Sequence, residues 1–258
     1  MERHIIVCIK SVLIRAPAGR AIRSSDSCEL NPFDRPALEV ALRMQNEFGG
    51  SVTALSMGPA SSAFTLHEAI AMGVDRGVLI NDPALIGSDT LATSTALGAA
   101  INKLAPFDLI FFGVRTADSD TGHVGPQTAV ALDLPLVTGV CAIEAGDSKL
   151  MVERKADGFR EQFELHFPAA LTIHQSAAEA RDIGLAGLQS AFDKREIVEL
   201  SLEDIGLSPQ QVGDAGSPTR VVSLSRVERG RSCEFLSGSA EEQINELTRR
   251  LLEAGMIV

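Results

Sequence analysis

The sequence predicts an α/β fold: a parallel sheet with helices on both faces, Rossmann-like, then a β-hairpin extension and a C-terminal arm ending in a helix. Three observations predict it. Short apolar runs alternate with helix-length segments through the first half of the chain, as in a parallel sheet covered by helices. After Leu136 the runs alternate in period two and meet at Asp157-Gly158, a strong hairpin turn. From about Ser176 periodicity fades and breaker clusters replace it, until a capping box opens one last amphipathic segment.

The elements follow in order. Strands are expected at 5–9, 52–57, 77–80 and 109–113, with helices between them at 33–47, 63–72 and 90–104. The first helix is read as starting with Asn31 as cap, Pro32 at the first helical position and Asp34 as an early acid. Ser88-Asp89-Thr90 offers a second capping cluster before an Ala-rich helix. Pro126 suits the first position of a short helix over 127–132. Antiparallel strands are expected at 137–143, 149–156 and 159–167, and one more buried strand at 169–174. The breaker-rich runs 206–209 and 213–218 read as an extended arm. Ser239-Ala240-Glu241-Glu242 opens a terminal helix with the apolar stripe Ile244, Leu247 and Leu251. The expected divisions are 1–175 for the α/β domain, 176–238 for the arm and 239–258 for the helix. A polar arm of that length reads as a segment that wraps a partner or as a disordered linker.

Composition narrows the function. At 45% apolar residues the chain can bury a sizeable core, and its net charge of −11 argues against a nucleic-acid partner. No apolar run approaches the roughly 18 residues that span a bilayer, and the N-terminus runs straight into a strand pattern without a signal-peptide design. A cytoplasmic protein is the expectation. Cys8, Cys28, Cys141 and Cys233 form no C-x-x-C pair, and His67-Glu68 lacks the second histidine of a zinc helix. No metal site and no catalytic group is expected.

The most informative stretch is Asp118-Ser119-Asp120-Thr121-Gly122-His123-Val124-Gly125-Pro126, between a buried strand and a helix. Free amides near a helix start suit a phosphate. The carboxylates of Asp118 and Asp120 repel phosphate unless they are paired, so they are read as accepting bonds from the loop or from a ribose. An ordinary polar connection is the alternative. In an open parallel sheet ligands bind at the carboxyl ends of the strands. Four segments are expected there: Cys8-Ile9-Lys10, Asn31 to Asp34 with Phe33, Met57-Gly58, and Gly113 through Pro126. Backbone groups at Ile9 and Met57 are candidates to read an adenine edge. No G-x-G-x-x-G and no P-loop is present. A nucleotide pocket without a catalytic group suits a cofactor carrier.

The chain resembles the beta subunit of electron transfer flavoproteins, the family that includes FixA. The resemblance rests on Val7-Cys8-Ile9-Lys10, Asn31-Pro32-Phe33-Asp34 with Ala37-Leu38-Glu39, Met57-Gly58-Pro59, Asp89 through Ser94, the Asp118–Pro126 loop, Leu134-Pro135-x-Val137-Thr138, and Ala215-Gly216-Ser217-Pro218-Thr219. It implies a heterodimer with an alpha subunit that carries a redox FAD, and an arm that embraces that subunit. It implies AMP, or a second FAD in the electron-bifurcating branch, as the nucleotide of this chain. The D-x-D-T-x-x-V-G-P and A-G-S-P-T runs look closer to the bifurcating branch, for which NADH is a possible donor. An acyl-CoA or other flavin dehydrogenase, and a ferredoxin or quinone oxidoreductase, are the implied partners. A docking loop maps to 180–195, with Leu185 as its apolar anchor. The chain departs from the family's usual text after Lys10, where Ser11-Val12-Leu13-Ile14 replaces Gln-Val-Pro-Asp, and at His123, where glutamine is usual. Two other classes share the sheet: a nucleotide-sensing module of the universal-stress type, which needs neither arm nor terminal helix, and a hydrolase or ligase, which would need a pyrophosphate loop absent here.

Overall fold

The computed structural model describes residues 2–13, 27–146, 148–193, 197–223 and 233–257. Eleven strands and seven α-helices are formed by these residues. In chain order they are β1 (Arg3–Cys8), β2 (Ser11–Leu13), β3 (Cys28–Leu30), α1 (Arg35–Phe48), β4 (Gly50–Met57), α2 (Ala63–Met72), β5 (Arg76–Ile80), α3 (Thr90–Lys103), β6 (Leu109–Gly113), α4 (Val124–Ala131), β7 (Leu136–Ala145), β8 (Lys149–Ala156), β9 (Phe159–His166), β10 (Ala169–Ile173), α5 (Leu185–Asp193), β11 (Ile197–Leu200), α6 (Gly213–Gly216) and α7 (Ala240–Glu253).

Nine strands make one sheet in the order β11-β5-β4-β1-β6-β10-β7-β8-β9. From β11 to β7 every neighbour pairs in parallel, and β8 and β9 add antiparallel. The buried alternation of β1 shows how both faces are covered. Ile5 and Val7 pack with Leu38, Ala41 and Leu42 of α1 and Leu66 and Ala69 of α2. Ile6 and Cys8 face the other way, toward Ala96, Leu97 and Ala100 of α3 and Ala129 of α4. This is the expected α/β sheet with helices on both faces.

At the lower end of β1, Arg3 lies between the rings of Phe48 and Phe167, its Cζ 4.8 and 4.6 Å from the two centroids. Its guanidinium also donates to the Gly146 carbonyl. The β8–β9 turn is the expected one: Asp157 and Gly158 have φ of 51° and 82°, the two left-handed residues of a tight hairpin.

Three expectations shift. Helix α1 begins at Arg35 rather than at residue 33. Asn31 is not its cap; Asp34 holds the cap position, with no side-chain cap bond. The Asp34 carboxylate is engaged elsewhere, as described below. Helix α4 begins at Val124, so Pro126 is its third residue rather than its first; a proline there still costs nothing, since that N–H has no helical partner. Finally, the sheet does not end at residue 173. Strand β11 extends it beside β5, and Leu200, Leu202, Ile205 and Val212 are buried in the α3-side core. The compact unit therefore runs from Met1 to Val222, past the division expected at 175.

The second unit, Ser223–Val258, holds α7. Its capping box forms as expected: Ser239 Oγ accepts from the Glu242 amide at 3.3 Å and Glu242 Oε2 accepts from the Ser239 amide at 2.7 Å. No residue of α7 is buried.

Candidate nucleotide crevice

The chain leaves β1 toward β4 on one side and has β6 on the other. The β1/β6 boundary is thus the switch point of the sheet, where open α/β folds hold ligands outside the carboxyl ends of the strands. Cys8-Ile9-Lys10 leaves β1 there and Gly113 leaves β6. Between them sits the turn Asn31–Asp34, in which the Asp34 amide donates to the Asn31 carbonyl at 2.9 Å.

Asn31 and Asp34 are both buried. Asp34 Oδ2 accepts from the Lys10 amide at 2.7 Å, and Asp34 Oδ1 accepts from Asn31 Nδ2 at 2.8 Å. The Gly113 amide donates to the same carboxylate. Burial pushes this carboxyl up to about 7, against the pull of the Lys10 amide, Asn31, the Lys10 charge and the Gly113 amide. Asn31 completes the tie: its Nδ2 donates to the Arg115 carbonyl at 2.9 Å and its Oδ1 accepts from the Ala117 amide at 3.2 Å.

The rim is charged and internally balanced. Lys10 Nζ lies 2.7 Å from Asp118 Oδ1 and 3.2 Å from Ser119 Oγ. Arg115 stacks on the Phe33 ring, its Cζ 4.5 Å from the centroid, and its Nη1 is 3.5 Å from Asp120 Oδ1. The two carboxylates that threatened to repel a phosphate are each matched by a cation. Asp120 and Gly122 turn the loop with φ of 52° and 64°. His123 stands at the cap position of α4 and makes no side-chain cap bond. The first amides of α4 are therefore left without a cap, the arrangement that receives an anion. A phosphate beside Lys10, Arg115 and this helix start fits the residues present.

The predicted residues do not all face one space. Cys8 is buried, and burial together with Asp34 pushes its thiol far up, so it stays protonated and inert. The Ile9 amide donates to the Leu55 carbonyl at 2.8 Å, so of the backbone groups at Ile9 expected to read a base edge, the N–H is already engaged. Met57 and Gly58 end β4 beside β1, and the Gly58 amide donates to the Ile80 carbonyl at 3.1 Å. Thr121 is exposed and Val124 half-buried. Gly125 is buried, and a Cβ there would lie 2.9 Å from Thr172 Cγ2 and 3.1 Å from Phe112 Cγ. Gly125 thus serves close packing of α4 on the sheet. Leu185 lies on α5, which packs on α2, and takes no part in the crevice.

The sequence reading passed over two features. Arg115, the rim cation, sits in a run that reads as ordinary loop. The start of α3 is tied to the segment after α6: Asp89 caps the Ala92 amide at 3.0 Å and accepts from the Thr219 amide at 3.0 Å, while its own amide donates to Ser217 Oγ at 2.8 Å. Burial of Asp89 is outweighed by these bonds, which hold its carboxyl below the usual range. One turn into α3, Ser94 Oγ donates to the Val124 carbonyl at 3.2 Å, so the starts of α3 and α4 lie side by side. The capping text Ser88-Asp89-Thr90 and the run Ala215-Gly216-Ser217-Pro218-Thr219 each stand out in the sequence, but nothing local shows that they meet.

Among the described residues no group of three or more His, Cys, Asp or Glu is placed to hold a metal ion, and no helix is long and apolar enough to cross a membrane.

Residues 20–204 match the family model of the electron transfer flavoprotein domain. The chain is 38% identical over 254 residues to the electron transfer flavoprotein subunit beta of Thermoanaerobacterium thermosaccharolyticum, covering 96% of this chain and 97% of that one. It is 36% identical to the caffeyl-CoA reductase-Etf complex subunit CarD of Acetobacterium woodii, covering 98% and 100%. It is 36% identical over 231 residues to the protein FixA of Azotobacter vinelandii, covering 84% and 82%. With this sheet and this degree of identity over nearly its whole length, the chain belongs to the electron transfer flavoprotein beta-subunit family.

Proposed function

We propose that the chain pairs with an alpha subunit, holds an adenine nucleotide in the β1/β6 crevice and helps carry electrons between a dehydrogenase and a downstream acceptor. One observation carries this reading: the anion-receptive start of α4 opens at the switch point beside Lys10 and Arg115, with its carboxylates already matched. The predicted contacts of Lys10, Phe33, Met57, Gly58, Asp118, Asp120, Thr121, Gly122 and His123 with the nucleotide are part of this proposal. A bound flavin supplies one- and two-electron chemistry. The chain's own residues bind it, orient it and exclude water around it.

We read the nucleotide as FAD in preference to AMP. The cluster of Asp89, Ser217 and Thr219 adds a second polar edge next to the start of α4, which suits a ligand longer than a mononucleotide. Bifurcation follows the same preference. The relatives named for a caffeyl-CoA reductase-Etf complex and for an acryloyl-CoA reductase support an acyl-CoA type of partner. The test is the nucleotide content of the complex with its alpha subunit, released by denaturation and separated by chromatography. Two FAD per heterodimer supports the bifurcating reading, and one FAD plus AMP supports simple carriage. A folded heterodimer whose beta subunit yields neither overturns the site. The chain has no Trp and no Tyr, so bound nucleotide stands out in its ultraviolet spectrum.

A further inference from the structure

A single carboxylate joins the two sides of the crevice. Asp34 gathers the Lys10 amide from the β1 side, the Gly113 amide from the β6 side and Asn31 Nδ2 from the turn between them. Asn31 then fixes Arg115 and Ala117, the first residues of the rim loop. The packing at this point is tight: a Cβ on Gly113 would lie 2.2 Å from Asp34 Oδ1 and 2.6 Å from the Phe33 carbonyl oxygen. All three groups that meet the Asp34 carboxylate are N–H donors. An ionised carboxylate accepts from all of them. A protonated one brings an O–H among donors, and one of the three bonds must open.

We propose that Asp34 is a positioning residue, and that its ionised carboxylate pins the ends of β1 and β6 in the arrangement that accepts the nucleotide. This rests on the nucleotide reading above. Asp34 is too deeply buried to be a contact residue; it acts through Lys10, Gly113 and, by way of Asn31, Arg115. The groups around it are few. The Cys8 thiol comes from the end of β1 and Lys10 from the residues just after it, the Arg115 guanidinium lies across Phe33, and Asp118 pairs with Lys10. With its carboxyl pushed up to about 7, Asp34 changes state within a range that binding experiments reach.

The experiment is titration of the full-length chain with FAD, and separately with AMP, from about pH 6 to about pH 8, for the native protein and Asp34→Asn. Only the ionised form is competent, so affinity scales with its fraction. Native affinity for the preferred nucleotide is expected to be about tenfold weaker at the acid end. Asp34→Asn, whose amide puts an N–H against a donor, binds more weakly at the alkaline end, by about tenfold, and with a flatter profile. Contributions from the ligand's own phosphate are common to both proteins, so the difference between the two profiles isolates Asp34. Parallel profiles overturn the proposal. If Asp34→Asn does not fold, a flat native profile overturns it instead. Failure of the native chain to bind either nucleotide at any pH removes the nucleotide reading itself, and this inference with it.

Discussion

Gly113 and Gly125 show at the residue scale why glycine stands at two places near the carboxyl ends of the strands. Neither has a left-handed backbone; both are glycines because something else fills the space. Gly113→Ala drives a methyl into Asp34 and the Phe33 carbonyl. It is expected to cost about 1–3 kcal/mol, measured by urea unfolding. Gly125→Val meets Phe112 and Thr172. It is expected to lower the unfolding free energy by a similar amount, and any loss of nucleotide follows from misplaced α4. Asp34 gives a prediction of definite sign. Its folded-state carboxyl is raised from the ordinary 3.8 to about 7, so between these values the native state holds more protons than the unfolded one. Its contribution to stability therefore falls as pH rises through that window and is flat above it. Relative to Asp34→Asn, the native protein is expected to lose Tm between pH 4 and pH 7, a trend opposite in sign to that expected for nucleotide affinity. None of this was legible in the sequence. Asn31-Pro32-Phe33-Asp34 reads as a helix start near the strand ends, and only the meeting of three distant segments turns its acid into a pin. The pairing of Lys10 with Asp118 was within reach of the sequence, because each follows a strand that its own apolar run makes plain.

At the scale of elements, the regular strands and helices of the sheet could be read because each carries its own pattern. The buried runs Ile5 to Cys8 and Leu109 to Phe112 are fully apolar, and Ala-rich α3 follows a capping aspartate. Strand β11 could not be read in this way. It is four residues long, and its place is set by β5, more than a hundred residues earlier in the chain. Helix α5 carries Leu185, the proposed docking anchor. His67 stacks on Phe192 at 4.8 Å between ring centroids and Ala191 is buried, so the helix is seated on α2. Leu185, at its start, remains 86% exposed. The segment before it is anchored by Arg181, whose Nε lies 2.7 Å from the buried Glu39 carboxylate. The last two residues of the predicted 180–195 docking loop lie outside the described residues. Leu185→Ala is expected to leave the unfolding free energy within about 0.5 kcal/mol of native while raising the KM for a partner dehydrogenase in a steady-state electron-transfer assay. An unchanged KM removes Leu185 from the docking surface.

The whole molecule divides into two units, and their composition assigns them different tasks. The unit to Val222 owns the sheet and its core. The unit from Ser223 presents α7, whose Ile244 and Leu247 are 63% and 49% exposed. Its Arg249 and Arg250 are occupied with Glu246, Glu253 and Glu234. A helix of this length is marginal by itself. We propose the alpha subunit as the surface that covers its apolar stripe. Truncation before Gly238 is expected to leave the Tm of the larger unit unchanged and to abolish capture of the alpha subunit in a pull-down; full-affinity capture sinks the idea. The late position of β11 has a consequence of another kind, during synthesis. Strand β5 is complete at Ile80, but the strand that covers its outer edge begins only at Ile197. At ribosomal rates of about 5–20 residues per second, that edge waits roughly 6–23 seconds for its neighbour. Through that interval the nascent chain carries the apolar run Gly77-Val78-Leu79-Ile80 on an open edge. A polysome translating this protein therefore displays a row of sticky, half-built sheets, and a chaperone that shields strand edges would act on this segment first.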